Sequence, residues 1–219
     1  MVAHELRNPL TPLRMATDML AHRGAGGEVA IDRLAAIISD QVARMARLID
    51  DLLDGSRLST GKLRLEFGMV DVVRVLEHAV MACRPKMQAR RQQFCVDLLS
   101  GPLNVRGDSI RLAQIFNNLL DNACKYTPEG GEVALGMTVA EHSLVISVRD
   151  NGLGIAAEML PLIFELFVQD AHVVAHSGGG LGIGLAVVRE LVEAHGGTVV
   201  ARSAGRDLGS EFVVTLPLA

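Results

Sequence analysis

The sequence contains no tryptophan and one tyrosine, Tyr126, so aromatic residues make up only 3% of it. Any core must therefore be aliphatic. Basic charge is also scarce: 21 Lys and Arg against 25 Asp and Glu leave a net charge of −4, with no excess to neutralise nucleic-acid phosphates. No apolar run reaches the length of a membrane span and no signal peptide is visible, so a cytoplasmic location is expected. Only three cysteines occur, Cys83, Cys95 and Cys124, an odd number without metal-ligand spacing. They are expected to be reduced and buried. What remains is 49% hydrophobic and 21% charged over 219 residues, which describes a globular chain of one large or two small domains.

Helical spacing dominates the front of the chain. Leu6, Leu10, Leu13, Thr17 and Leu20 alternate steps of four and three, and after the breaker His22–Gly27 the pattern resumes at Ile31, Leu34, Ile38, Gln41, Met45, Leu48 and Leu52. Two such helices joined by a Gly-rich turn make an antiparallel hairpin, whose second member, Val29 to Arg57, is about 40 Å long at 1.5 Å per residue. Met15, Met19, Ile37, Ile49 and Leu53 widen the apolar stripe beyond what one partner helix covers. A four-helix bundle made by a homodimer is the simplest solution, ahead of packing on the chain's own second domain. With Leu6 on the seam, His4 and Asn8 fall one turn apart on the wet face, with Glu5 beside them. Pro9 and Pro12 each remove an amide donor, so a bend follows His4. A lone histidine on a helix carries little meaning until something in the chain requires a nucleophilic imidazole.

From Leu58 the pattern changes. Leu58–Gly61 reads as a linker and Lys62–Phe67 as a short strand. A helix capped by Asp71 runs to Arg91 with Val72, Val75, Leu76, Ala79 and Val80 inside. Strands are expected at Phe94–Leu98, Leu103–Arg106, Glu132–Val139, Ser143–Asp150, Thr198–Ser203 and Glu211–Leu216, with helices at Asp108–Tyr126 and Gly182–His195. Helices and strands mix without strict alternation, so an α+β sandwich with helices on one sheet face is expected.

Three stretches of this second part are chemically unusual. The helix ending at Tyr126 has a polar stripe, Arg111, Gln114, Asn118, Asn122 and Lys125, opposite its apolar side. Asparagine is a poor helix former, and amide oxygens are hard ligands suited to Mg²⁺. A merely solvated face would more naturally use Glu and Lys. Next, in V-R-D-N-G-L-G-I the alternation of Leu144, Ile146 and Val148 puts Asp150 on the apolar face, where a carboxylate needs a donor. Gly152 and Gly154 let the backbone approach a flat ligand, although D-N-G also simply ends strands. Finally, S-G-G-G-L-G-I-G-L at Ser177–Leu185 precedes an apolar helix and exposes amides suited to phosphate, or serves as a hinge. It lacks both the G-K-[ST] of a Walker loop and the setting of a dinucleotide fingerprint. The span Gln169–Ser177 before it reads as a lid. His172 and His176 within it are four apart like metal ligands but have no third ligand, and zinc is not expected there.

The ordered set H-E-x-x-N-P, N-x-x-x-N-A-x-K-Y, D-x-G-x-G, Phe164 with Phe167, and G-x-G-x-G-L resembles bacterial sensor histidine kinases over nearly the whole chain. The resemblance implies an α+β chain: a dimerisation and phosphotransfer hairpin over 1–57, a linker and first strand over 58–66, and over 67–219 an ATP-binding sandwich of the type shared with gyrase, Hsp90 and MutL. It further implies that ATP and Mg²⁺ are used and that His4 is the phosphoacceptor. Glu5 would polarise the imidazole, and Asn8 would place a water when a response-regulator receiver domain is dephosphorylated. Asn122 would reach Mg²⁺, with Asn118, Lys125 and Tyr126 around the nucleotide. Asp150 would accept from the adenine amino group beside Gly152 and Gly154, while Gly180, Gly182, Gly184 and Leu185 flank the phosphates. With three residues ahead of His4, an N-terminal input region, the membrane anchor of such proteins, is expected to be missing. Two features depart from the pattern: Leu166 and Gln169 stand near Phe167 where relatives carry proline and a basic residue, and the lid has no Arg or Lys. Arg111 and Lys125 are then the candidates for the γ-phosphate. A clamp ATPase would need a glutamate at Asn118. A degenerate kinase that binds nucleotide without transferring phosphate is the other competitor.

Overall fold

The computed structural model describes residues 10–21, 65–170 and 181–219, together with 32, 34–39, 41–42, 45–46 and 49. Helix α1 spans Leu10–Ala21, and the described positions between 32 and 49 are all helical. Among the latter, Leu34, Ile38, Gln41 and Met45 are half-buried and every other described position is exposed, which is the seam that the spacing predicts. Among the described side chains of α1 the buried one is Ala16, beside the expected line, while Leu20 lies outside them; Thr17 is exposed, its hydroxyl donating to the carbonyls of Leu13 and Arg14. Met15, Met19, Ile37 and Ile49 remain exposed.

The first strand, β1, is Gly68–Asp71, and the described residues 65–67 are not strand. The expectation of a strand at Lys62–Phe67 is therefore corrected; β1 is short because it pairs only with β3 (Asn104–Gly107), as an antiparallel ribbon. Asp71 caps α2 (Val72–Ala89), its carboxylate accepting from the Val73 amide at 3.1 Å and the Leu103 amide at 3.3 Å. The remaining elements are β2 (Gln93–Asp97), α3 (Ser109–Tyr126), β4 (Glu132–Ala140), β5 (Ser143–Asp150), α4 (Gly184–Ala194), β6 (Thr198–Arg202) and β7 (Ser210–Pro217). Five strands form one sheet in the order β2-β4-β5-β7-β6, antiparallel except for β2 against β4.

Alternation then builds the core. Val133, Leu135 and Met137, then Leu144, Ile146 and Val148, then Phe212, Val214 and Leu216 all point to one face and are buried against α2, α3 and α4. The α+β layered sandwich is what the structure has. One cysteine departs from expectation: Cys83 and Cys124 are buried, but Cys95 is exposed. β2 is an edge strand, and its inward positions are Phe94 and Val96.

Candidate functional site

Helix α3 forms one wall. Asp108 caps it, and Leu112, Ile115, Phe116, Leu119, Leu120 and Ala123 bury its apolar side. That burial fixes the helix rotation, so Arg111, Gln114, Asn118, Asn122 and Lys125 are all half-buried, neither core nor open surface. The Arg111 guanidinium donates to the Gln114 carbonyl oxygen at 2.8 Å. Asn118 donates to the carbonyl of Gly184 at 3.4 Å, so the glycine turn that opens α4 lies over the stripe. The Lys125 ammonium stands 4.9 Å from the Tyr126 ring centroid and 3.4 Å from its hydroxyl, whose pKa burial pushes up. Asp121, next in sequence to Asn122, turns away to pair with Lys86 on α2 at 2.5 Å. It is unavailable as a base at the stripe.

The second wall is the turn after β5. Asp150 sits on the buried face, 7% exposed, as the alternation requires. One carboxylate oxygen accepts from the Gly152 amide at 2.8 Å, the other from the Ser210 hydroxyl at 2.6 Å. Burial raises its pKa above the ordinary carboxylate range, and the donors on Ser210 and Gly152 only partly oppose this. Gly152 is required because a Cβ there would strike the Tyr126 carbonyl, and the Leu153 amide donates to that same carbonyl at 3.1 Å. Gly154 has φ +63° and lies against the Gly205 carbonyl.

The turn before β7 was not legible as part of the site. The Ser203 hydroxyl accepts from the Ile155 amide at 2.9 Å and donates to the Gly209 carbonyl at 2.7 Å. The Gly209 amide donates to the Gly152 carbonyl at 3.0 Å. Ser203, Gly205, Gly209 and Ser210 thus fasten the D-N-G-L-G turn from 48 to 60 residues away in the chain. Their only signal was the run G-R-D-L-G-S between two strands.

The third wall is the glycine-rich approach to α4. Gly182 has φ +69°, and its carbonyl accepts from the Phe167 amide at 2.9 Å. Phe167 itself holds φ +65°, uncommon for an aromatic residue, and is exposed. Phe164 is instead buried, edge-on to Phe212. The N-cap residue of α4, Ile183, has no side-chain acceptor for the first amides of the helix, and among the described residues no other side chain caps them. Leu185 anchors the turn against the core. His4, Glu5, Asn8, Gly180, His172 and His176 lie outside the described residues, as does the expected lid apart from Gln169 and Asp170.

Hydrogen bonds from Asn118 to Gly184 and from the Leu153 amide to Tyr126 bring the start of α4 and the turn carrying Asp150 against α3, the helix with the amide-and-ammonium stripe. A family model described as "Histidine kinase-, DNA gyrase B-, and HSP90-like ATPase" matches residues 107–219, more than half of the chain, and one described as "His Kinase A (phospho-acceptor) domain" matches residues 1–61. The chain belongs to the sensor histidine kinase family. Sensor protein ChvG of Rhizobium meliloti is 36% identical over 99% of this chain and 39% of its own length; the alginate biosynthesis sensor protein KinB of Pseudomonas aeruginosa is 34% identical over 99% and 36%. The chain therefore spans less than half the length of these sensor kinases. Among solved structures, the histidine kinase AdeS of Acinetobacter baumannii superposes with a TM-score of 0.71 at 28% identity, covering 98% of each chain. Full-length ShkA, solved in complex with AMPPNP, gives 0.73 at 28% identity over 99% of this chain and 44% of its own. As in other members of the histidine kinase family, the sandwich is an ATP-binding fold. Among the described residues no helix is long and apolar enough to cross a membrane.

Proposed function

We propose that the chain is the cytoplasmic catalytic core of a sensor histidine kinase, transferring the γ-phosphoryl group of ATP to His4 and from there to an aspartate of a response-regulator receiver domain. Residues 1–57 are the dimerisation and phosphotransfer hairpin, 58–66 the connection, and 67–219 the ATP-binding unit. The observation that carries the reading is Asp150: a carboxylate on the sheet's apolar face, held by the Gly152 amide and the Ser210 hydroxyl, keeps acceptor capacity for a ligand donor such as the adenine amino group. Gly152 and Gly154 let the turn that carries this carboxylate pack directly on the Tyr126 and Gly205 carbonyls, which holds it in place. Gly180, Gly182 and Gly184, with Leu185 holding the turn, offer amides to the phosphates.

The Mg²⁺ that the family implies fits the residues present. Asn122 is a half-buried amide that makes no hydrogen bond among the described residues, a hard oxygen donor one turn from Asn118 and Lys125. When bound, Mg²⁺ neutralises phosphate charge. Lys125 and Arg111 supply the protein's own cations, since the lid sequence has none.

For the transfer itself, the lone pair of neutral His4 attacks the γ-phosphorus as the bond to the ADP oxygen breaks. Glu5 accepts the ring N–H proton and so removes the charge the imidazole acquires. Asn8 orients water for discharge of the phosphorylated partner. Hydrolysis in the manner of clamp ATPases is disfavoured by Asn118, which is no base, and by Asp121, which is engaged with Lys86. The stripe of exposed Met15, Met19, Ile37 and Ile49 supports a homodimer.

Incubation with γ-labelled ATP and Mg²⁺ tests the reading. Label that is acid-labile and alkali-stable, present on the wild type and absent from His4→Gln, is expected. Steady phosphate release without protein label would refute it, and nucleotide binding with neither would mark a degenerate kinase.

A further inference from the structure

Asp108 does more than cap a helix. One carboxylate oxygen accepts from the amides of Ile110 at 3.0 Å and Arg111 at 3.2 Å, which completes the cap of α3. The other accepts from the amide of Glu66 at 3.0 Å, 42 residues earlier, where the chain enters the sandwich. The backbone amide of Asp108 donates to His195 Nε2 at 3.0 Å, and His195 Nδ1 lies 2.6 Å from the Leu191 carbonyl in α4. A ring nitrogen facing a carbonyl carries the proton, and one facing an N–H does not, so these partners fix the neutral Nδ1–H tautomer. His195 is 5% exposed, and Gly107 is required beside it because a Cβ there would come within 2.7 Å of the ring. Phe67 packs on the other side of the imidazole, ring centroids 5.6 Å apart.

This junction therefore connects three things: the entry segment at Glu66–Phe67, the N-terminus of the helix carrying Asn118, Asn122 and Lys125, and the helix that begins at Gly184. It also borders an open cleft of about 300 Å³ lined by Phe67, Arg106 and His195 among others. Capping needs only one carboxylate oxygen. The second is spent on the entry segment.

We propose that Asp108 is a positioning residue that couples the entry segment to the two nucleotide-site helices through its second carboxylate oxygen. Nucleotide binding is then felt at Glu66, and the direction in which the sandwich leaves the phosphoacceptor hairpin is set there. The second consequence rests on the reading of His4 as acceptor; the first does not.

Asp108→Asn separates the two roles. Its amide oxygen keeps the cap, while its NH₂ group meets the Glu66 N–H donor to donor. Glu66→Pro removes that N–H and leaves Asp108 intact, which covers the case in which the first variant folds poorly. In the full chain, exchange of the Glu66 and Phe67 amides is expected to slow on adding ADP in the wild type and to be insensitive to ADP in both variants, read at Phe67 alone in Glu66→Pro, which has no amide hydrogen at 66. ADP affinity should stay within about twofold, whereas the rate of His4 labelling at saturating ATP falls about tenfold, a change in kcat without KM. Equal loss of ADP affinity and labelling, or unchanged exchange with unchanged labelling, would overturn the proposal. A wild type that shows the exchange effect but never labels His4 would reject the kinase reading and leave the coupling standing.

Discussion

At the residue scale, Asp150 and Asp108 show two carboxylates with opposite pH behaviour. Burial raises the pKa of Asp150, so its contribution to stability is complete with the group protonated and is lost as pH rises through the raised value. For Asp108, burial pushes upward too, but the amides of Glu66, Arg111 and Ile110 and the Arg111 charge together bring the pKa below the ordinary range. Its contribution is present above the usual carboxylate pKa and disappears as pH falls through the depressed one. Asp150→Asn is accordingly expected to melt at a higher temperature than wild type at pH 8, with the gap closing on acidification in scanning calorimetry. The same variant should bind ADP roughly 10- to 100-fold more weakly, since an amide presents a donor where the adenine amino group needs an acceptor. Because the base favours the ionised form, ADP binding on the acid side should release a proton, seen as a dependence of calorimetric heat on the buffer's ionisation enthalpy. Asp150 was legible from a period-2 pattern. Ser210, which donates to it, was not, because a contact across 60 residues leaves no local trace.

At the element scale, α3 carries both fold and site, and its two faces should separate cleanly in mutagenesis. Leu120→Ala removes a fully buried side chain and is expected to lower unfolding free energy by about 2–5 kcal/mol in denaturant titrations. Asn122→Ala replaces a poor helix former with the best one and should change stability by less than about 0.5 kcal/mol while abolishing His4 labelling. A variant that lost both together would show that the amide is structural. The sequence made this helix readable because cap, apolar periodicity and polar stripe all agree. It made β1 hard to read for the opposite reason: Leu65 and Phe67 alternate as a strand would, yet the four paired residues are Gly68–Asp71, chosen by the partner β3. The outward turn of Cys95 has a similar cause, since which face of an edge strand is covered depends on sheet order.

At the scale of the whole molecule, the two parts of the chain solve burial differently. The sandwich closes its own core, with Phe116, Leu135 and Leu191 among its largest fully buried side chains. Helix α1 does not: Leu10, Met15 and Met19 are 48%, 61% and 65% exposed, and Ile37 and Ile49 are exposed as well. That much apolar surface on helices with a heptad seam is ordinarily covered by another helix pair. Sedimentation equilibrium is therefore expected to give twice the 23.4 kDa chain mass. Replacing Met15 and Met19 together by Glu puts like charges into that contact and should shift the mass toward one chain at micromolar concentration. ADP affinity should be unchanged, because α3, the turns around Asp150 and Gly209, and the start of α4 all belong to the sandwich and not to α1. A chain that sediments as a monomer before mutation would show that the exposed stripe is covered in some other way, and the four-helix bundle would have to be given up.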